Sequence, residues 1–257
     1  MISNCSILYS IKRTLYLLSS ILVLSSCASI NTAVLGAVTG PGFATKTKKT
    51  LAKTIELIDS TETRSVVIVP MIHIGAEKDY EKIGVFLDGL KSRGYYVYHE
   101  GIRPPEDSLD SCYLDTLLRK FRKMVGSDIL YDYPDMASKR KGWVCQTESS
   151  IVSDSDHDLC IDITMDQLLK KYEETHGTIV LDDYDRQCPL GSGDYKSGPG
   201  MKGYHWIMGG RLSPRDSLLK EHVLNDGYEK IAVVYGSFHS RILKNDLIFL
   251  HGYKIKE

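Results

Sequence analysis

Ser65-Val66-Val67-Ile68-Val69-Pro70-Met71-Ile72-His73 is a nearly unbroken apolar run that ends on a histidine. Its apolar residues do not alternate with polar ones, so the strand it predicts is covered on both faces, as in a parallel sheet packed between helices. From Glu77 to Leu90 the period changes: Tyr80, Ile83, Leu87 and Leu90 fall on one helical face, and Gly94 supplies a stop. Tyr95-Tyr96-Val97-Tyr98-His99-Glu100 then predicts a second strand, closed by Gly101 and Pro104-Pro105. Strand, helix and strand with a short return predict a parallel βαβ unit. The fold class that follows is α/β: one domain with a parallel or mixed sheet flanked by helices.

The rest of the chain extends this pattern. Leu109 to Val125 reads as an amphipathic helix through Leu114, Leu117, Leu118, Phe121 and Val125, stopped by Gly126. Thr164-Met165-Asp166-Gln167 has the spacing of a capping box and opens a helix through His176, ended by Gly177. Thr178 to Leu181 predicts a further strand. Pro189 to Gly203 is rich in glycine and proline and reads as a loop able to act as a lid, without the order of a phosphate-binding loop. Ser213-Pro214-Arg215-Asp216 opens another helix, with Ser as N-cap, Pro at the first position and Asp216 as a capping carboxylate. That helix runs to Asn225.

Lys230 to Phe238 predicts a buried strand with His239 just beyond it, and Asp246 to Lys256 predicts one or two short strands. A strand ending in histidine and a later Gly-Tyr strand opening occur twice: Val66 to His73 with Gly94-Tyr95, and Ile231 to His239 with Gly252-Tyr253. The echo suggests two duplicated βαβ-type halves.

The first 26 residues read as an export signal. Lys12 and Arg13 precede an uncharged apolar stretch from Leu15 to Leu24, too short for a bilayer span, which needs about 20 residues. Leu24-Ser25-Ser26-Cys27 follows, and it resembles the lipobox of bacterial lipoproteins, in which the cysteine is acylated and begins the mature chain. Ala28 stands where an aspartate would resemble an inner-membrane retention signal. The implied localisation is the cell envelope, at the outer membrane where the cell has one. Residues 27–52 read as a lipidated Cys27 and a flexible tether, leaving residues 53–257 as the folded domain.

The formal net charge is −1 and the sequence pI about 6.7, with no basic stripe, so nucleic acid is not an expected partner. Past Cys27 lie Cys112, Cys145, Cys160 and Cys188, which in an exported chain allow disulfides or buried thiols. No C-x-x-C spacing points to a metal cluster.

His73, Glu100 and His239 each stand where an apolar strand runs out, and ligands collect at the carboxyl ends of strands in open parallel sheets. Two imidazoles and a carboxylate suit a divalent ion with one open position. Such an ion activates water near neutral pH, and Arg215 would neutralise substrate or a developing oxyanion. His99 points to the opposite sheet face from Glu100.

The order of His73, Glu100, Arg215-Asp216 and Gly236-Ser237-Phe238-His239 resembles the TraB/Tiki-type family, grouped with the erythromycin-esterase and ChaN-like proteins. The family pattern is a strand ending in G-x-x-H, an acidic residue closing the next strand, an R-[ND] helix start and a second G-x-x-H. The resemblance spans Ser65 to Ile242 and takes in Asp162 to Gln167; Pro70 departs from it, standing where the first G-x-x-H has glycine. It implies a membrane-anchored, metal-dependent hydrolase, a protease or esterase acting on a peptide or small molecule. In that mapping His73 and His239 are metal ligands, with zinc or manganese as the ion. Glu100 is a ligand or general base, and Arg215 orients or neutralises substrate. The alternatives are a haem- or iron-binding lipoprotein of the ChaN-like kind, using His and Tyr ligands, and a non-catalytic surface binding protein.

Overall fold

Five strands of the main sheet run one way and a single short strand runs against them. The computed structural model describes residues 51–105, 111–127, 129–146, 156–196 and 213–256. The signal segment, Cys27 and the tether up to residue 50 lie outside the described residues, as does the glycine-rich stretch from residue 197 onward. The described chain takes up at Leu51, two residues before the expected start of the domain, in a 3-10 turn over Leu51–Lys53.

The strands are β1 (Ile55–Ile58), β2 (Ser65–Met71), β3 (Ile74–Ala76), β4 (Tyr96–His99), β5 (Trp143–Cys145), β6 (Asp158–Cys160), β7 (Lys230–Gly236) and β8 (Lys254–Ile255). The helices are α1 (Glu77–Lys91), α2 (Ser111–Val125), α3 (Ile129–Ser138), α4 (Met165–His176), α5 (Asp183–Gln187), α6 (Pro214–Asn225) and α7 (Ser237–His251). The main sheet has the order β6-β4-β7-β2-β1-β8, and β3 and β5 form a separate two-stranded ribbon. The sheet is mixed because β1 pairs antiparallel with both β2 and β8. The βαβ unit read from residues 65–100 is present, but its strands are not neighbours: β7 lies between β2 and β4, parallel to both.

Alternation along the strands sorts the helices onto two faces. Val67, Val69, Met71, Val97, Ala232 and Val234 pack against Tyr80, Ile83, Leu87 and Leu90 of α1. Val66, Ile68, Tyr98, Ile231, Val233 and Tyr235 pack against Leu219 and Val223 of α6 and Leu243 and Leu247 of α7. Both faces of β2 and β7 are therefore buried, which is why their sequences read as unbroken apolar runs. A third core joins α2, α3 and α4 through Leu117, Phe121, Tyr133 and Leu168. The two echoed units place their helices on opposite faces. Their returning strands, β4 and β8, run in the same direction but lie on opposite sides of β7.

Local signals hold at several helix ends. The Thr164–Gln167 capping box is present at the start of α4, which ends at Gly177. Ser213 is the N-cap of α6, with Pro214 leading the helix. Pro70 lies within β2 past the last antiparallel pair, Ile55↔Ile68, so its missing N–H falls where β1 no longer pairs.

Two expectations are corrected, and the open alternative for the cysteines is decided. Residues 178–181 form no strand: the Ile179 N–H is taken by the Glu173 carboxylate at 2.9 Å, and Ile179 packs into the α2–α4 core. The strands expected from Asp246 onward reduce to Lys254–Ile255, because α7 continues to His251 and ends at Gly252 in the left-handed conformation (φ 70°). The apolar density there misleads, since Leu243 and Leu247 face the sheet while Phe249 is 75% exposed. Cys112, Cys145, Cys160 and Cys188 are all free thiols.

Candidate functional site

Glu100 follows the last residue of β4 and shares a sheet face with Tyr96 and Tyr98, the face that α6 and α7 cover. Arg215 and Asp216 lie in the first turn of α6, and His239 lies in the first turn of α7, immediately after β7. The sheet thus delivers a carboxylate to the point where two helix N-termini converge.

The contacts are direct. Arg215 donates from Nη2 to Glu100 Oε1 at 2.6 Å. It also forks onto Asp162, Nη2 to Oδ2 at 2.6 Å and Nε to Oδ1 at 3.0 Å. Glu100 Oε2 accepts the Gly236 N–H at 2.7 Å. His239 Nδ1 lies 2.7 Å from Asp216 Oδ1, and its Nε2 lies 3.4 Å from Arg215 Nη1 and 3.9 Å from Glu100 Oε1. A guanidinium has no acceptor, so this geometry assigns the His239 proton to Nδ1, where Asp216 accepts it, and leaves the Nε2 lone pair facing the cluster.

His73 sits between β2 and β3 and is held through its backbone. Gln146 donates its N–H to the His73 carbonyl at 2.8 Å, and the Tyr80 hydroxyl donates to the Ile72 carbonyl at 2.6 Å. The Ser237 hydroxyl ties α7 to the end of β2 through the Met71 carbonyl at 2.8 Å. Burial lowers the pKa of His73; Glu100 opposes that shift, while Arg215 and His239 add to it. His73 thus lies within electrostatic range of the other three residues, with its ring 6.0 Å from the Tyr133 ring. Burial alone would lower the pKa of Arg215, but Asp162 and then Glu100 outweigh it and raise it well above the ordinary guanidinium value.

All four expected residues are buried: His73 at 3% exposure, Glu100 at 2%, Arg215 at 1% and His239 at 0%. The structure brings Glu100, Arg215 and His239 into one contact cluster, with His73 in electrostatic range of it. It also adds two residues. Asp216 engages His239, with no capping bond from Asp216 or Ser213 found at the start of α6, which corrects its expected role as a cap. Asp162 follows β6 as Glu100 follows β4, and the strand-end rule that picked out Glu100 applies equally to Asp158-Leu159-Cys160-Ile161-Asp162. The short length of β6 hid it.

The donor set fits a metal ion in part. A ligating histidine usually gives its other ring N–H to a carboxylate, which is the Asp216–His239 arrangement. Glu100 does not complete a third ligand position as placed, since Arg215 and the Gly236 N–H take its two oxygens. Among the described residues, no group of three His, Cys, Asp or Glu side chains is set to hold a metal. Comparison with protein-family models, with curated proteins and with solved structures finds no match, so the resemblance to the TraB/Tiki-type family rests on motif order.

Proposed function

We propose that this chain is a membrane-anchored lipoprotein whose α/β domain is a metal-dependent hydrolase of peptide or ester bonds. The observation that carries the reading is His239, fully buried, held at Nδ1 by Asp216 and turned with Nε2 toward Arg215 and Glu100. A divalent ion, zinc or manganese, held by His73 and His239 would supply Lewis acidity at the scissile carbonyl. Asp216 accepts the Nδ1–H and keeps the His239 Nε2 lone pair aimed inward. Glu100, oriented by Arg215 and the Gly236 N–H, serves as the general base that receives the proton of the attacking water. Arg215 Nη1 faces the cluster and neutralises the oxyanion that develops. Glu100 and Asp162 share the Arg215 guanidinium while Asp216 engages His239, an excess of carboxyl groups that a bound cation offsets.

The test is metal content by mass spectrometry on the full chain in detergent, beside a His239→Ala variant, followed by a panel of peptides and esters. Near-stoichiometric metal that is lost in the variant, with cleavage that tracks it, is the expected result. No metal in either protein after reconstitution with zinc, manganese or cobalt would overturn the reading. A Soret band on adding haem, without hydrolysis, would move it to iron or haem carriage.

A further inference from the structure

The described chain enters the domain at the end of the sheet where the site lies. β1 runs against β2, so its first residue, Ile55, lies opposite Ile68 and its last, Ile58, opposite Ser65. The Leu51–Lys53 turn precedes Ile55, and Leu51 packs on the α1 side of the sheet. The entry point is therefore near the carboxyl end of β2, beside the loop that carries His73. Glu100 and His239 lie beyond the carboxyl ends of β4 and β7, which run parallel to β2. α7 runs back from the site, so exposed Phe249 and Leu250 lie at the far end.

The segment before the entry point is short and basic. Cys27 and Leu51 are 24 positions apart, and Lys46, Lys48 and Lys49 lie next to the exposed Lys53. Taken as the tether expected from its sequence, a linker of that length would have a root-mean-square span of about 27 Å, less than the roughly 40 Å breadth of a domain this size. Lysines beside a membrane anchor are drawn to anionic headgroups.

We infer that the domain sits with the carboxyl end of its sheet toward an anionic phospholipid surface, so that the site works on substrate held at or near that surface. The inference rests on Cys27 as the lipid anchor. With the anchor attached at the site end, the linker is too short to favour the inverted pose, and its lysines pull the same end down.

Trp143 reports on the site end, because β5 pairs with β3 directly after His73. The chain has two tryptophans, so Trp206→Phe leaves Trp143 as the only donor. A second reporter combines Trp143→Phe, Trp206→Phe and Phe249→Trp. The lipidated full chain of each is placed on phosphatidylcholine vesicles carrying dansyl lipid, with and without phosphatidylglycerol. Energy transfer from Trp143 should exceed that from the Phe249→Trp reporter by at least about twofold, given the breadth of the domain, and phosphatidylglycerol should widen the gap. Equal or reversed transfer on vesicles that carry the chain overturns the orientation alone. A chain that fails to float with vesicles overturns the anchor, and the inference with it.

Discussion

His239 Nδ1 and Asp216 Oδ1 meet at 2.7 Å across the first turns of two different helices, α7 and α6. Asp216→Asn keeps the shape of the side chain and removes its charge. The variant should fold with an unchanged circular-dichroism spectrum while metal affinity and hydrolysis fall by roughly 10- to 100-fold. Affinity equal to that of the parent would show that the pair is only packing.

Asp162 carries two of the three carboxylate hydrogen bonds on Arg215, a residue with 1% exposure. Asp162→Ala leaves a buried guanidinium with Glu100 as its remaining carboxylate partner, and such a loss costs about 3–5 kcal/mol. Urea unfolding measures it. A change below about 1 kcal/mol would mean that water replaces the carboxylate at no cost.

His99 lies on the α1 face, and burial, with Arg103 adding to it, lowers its pKa to about 4. The ring is neutral in the folded protein while the unfolded chain titrates near 6.5. As pH falls through 6.5 the unfolded state gains a proton that the folded state refuses, so stability drops until pH approaches 4. The loss attributable to His99 at pH 4 is about 3 kcal/mol. Denaturant titrations at pH 7 and pH 4 on the parent and on His99→Gln should show a shallower fall in the variant; parallel curves would refute the assignment.

Cys27→Ser removes the only sulfur available in the proposed lipobox. Expressed in a bacterial host, the parent should partition into detergent phase and take up labelled palmitate, and the variant should do neither. Palmitate incorporation that persists in the variant would point to another attachment residue.

What the sequence disclosed, and what it hid, follows from how local each signal is. The runs at 65–73 and 230–238 announced buried strands because both faces of β2 and β7 are covered, although β7 stops at Gly236 and α7 takes over at Ser237. The start of α4 was legible because its cap lies within four residues. The order β4-β7-β2 was not legible, since no local pattern records which strand enters between two others. α3 escaped because Pro134 reads as a breaker, yet Tyr133, Met136 and Ala137 bury one face of the helix. At the site, His73, Glu100, Arg215 and His239 stood out as polar ends of apolar runs or in a helix start. The role of Asp216 depends on where α7 begins, and that lies 21 residues further along the chain.

The place of β7 at the heart of the sheet has a consequence for the order of assembly. Pairing Ala232 with Val67 and with Val97 closes two very long chain segments, and such closures are slow steps in folding. Among the described strands, β7 also comes after all the others except the two-residue β8. A chain lacking β7 holds β2 and β4 with nothing between them, so neither the β4-β7-β2 order nor the contacts of Glu100 with Gly236 and His239 can form. The two sides of the sheet, β6-β4 and β2-β1, therefore wait as separate pieces for the middle strand they share.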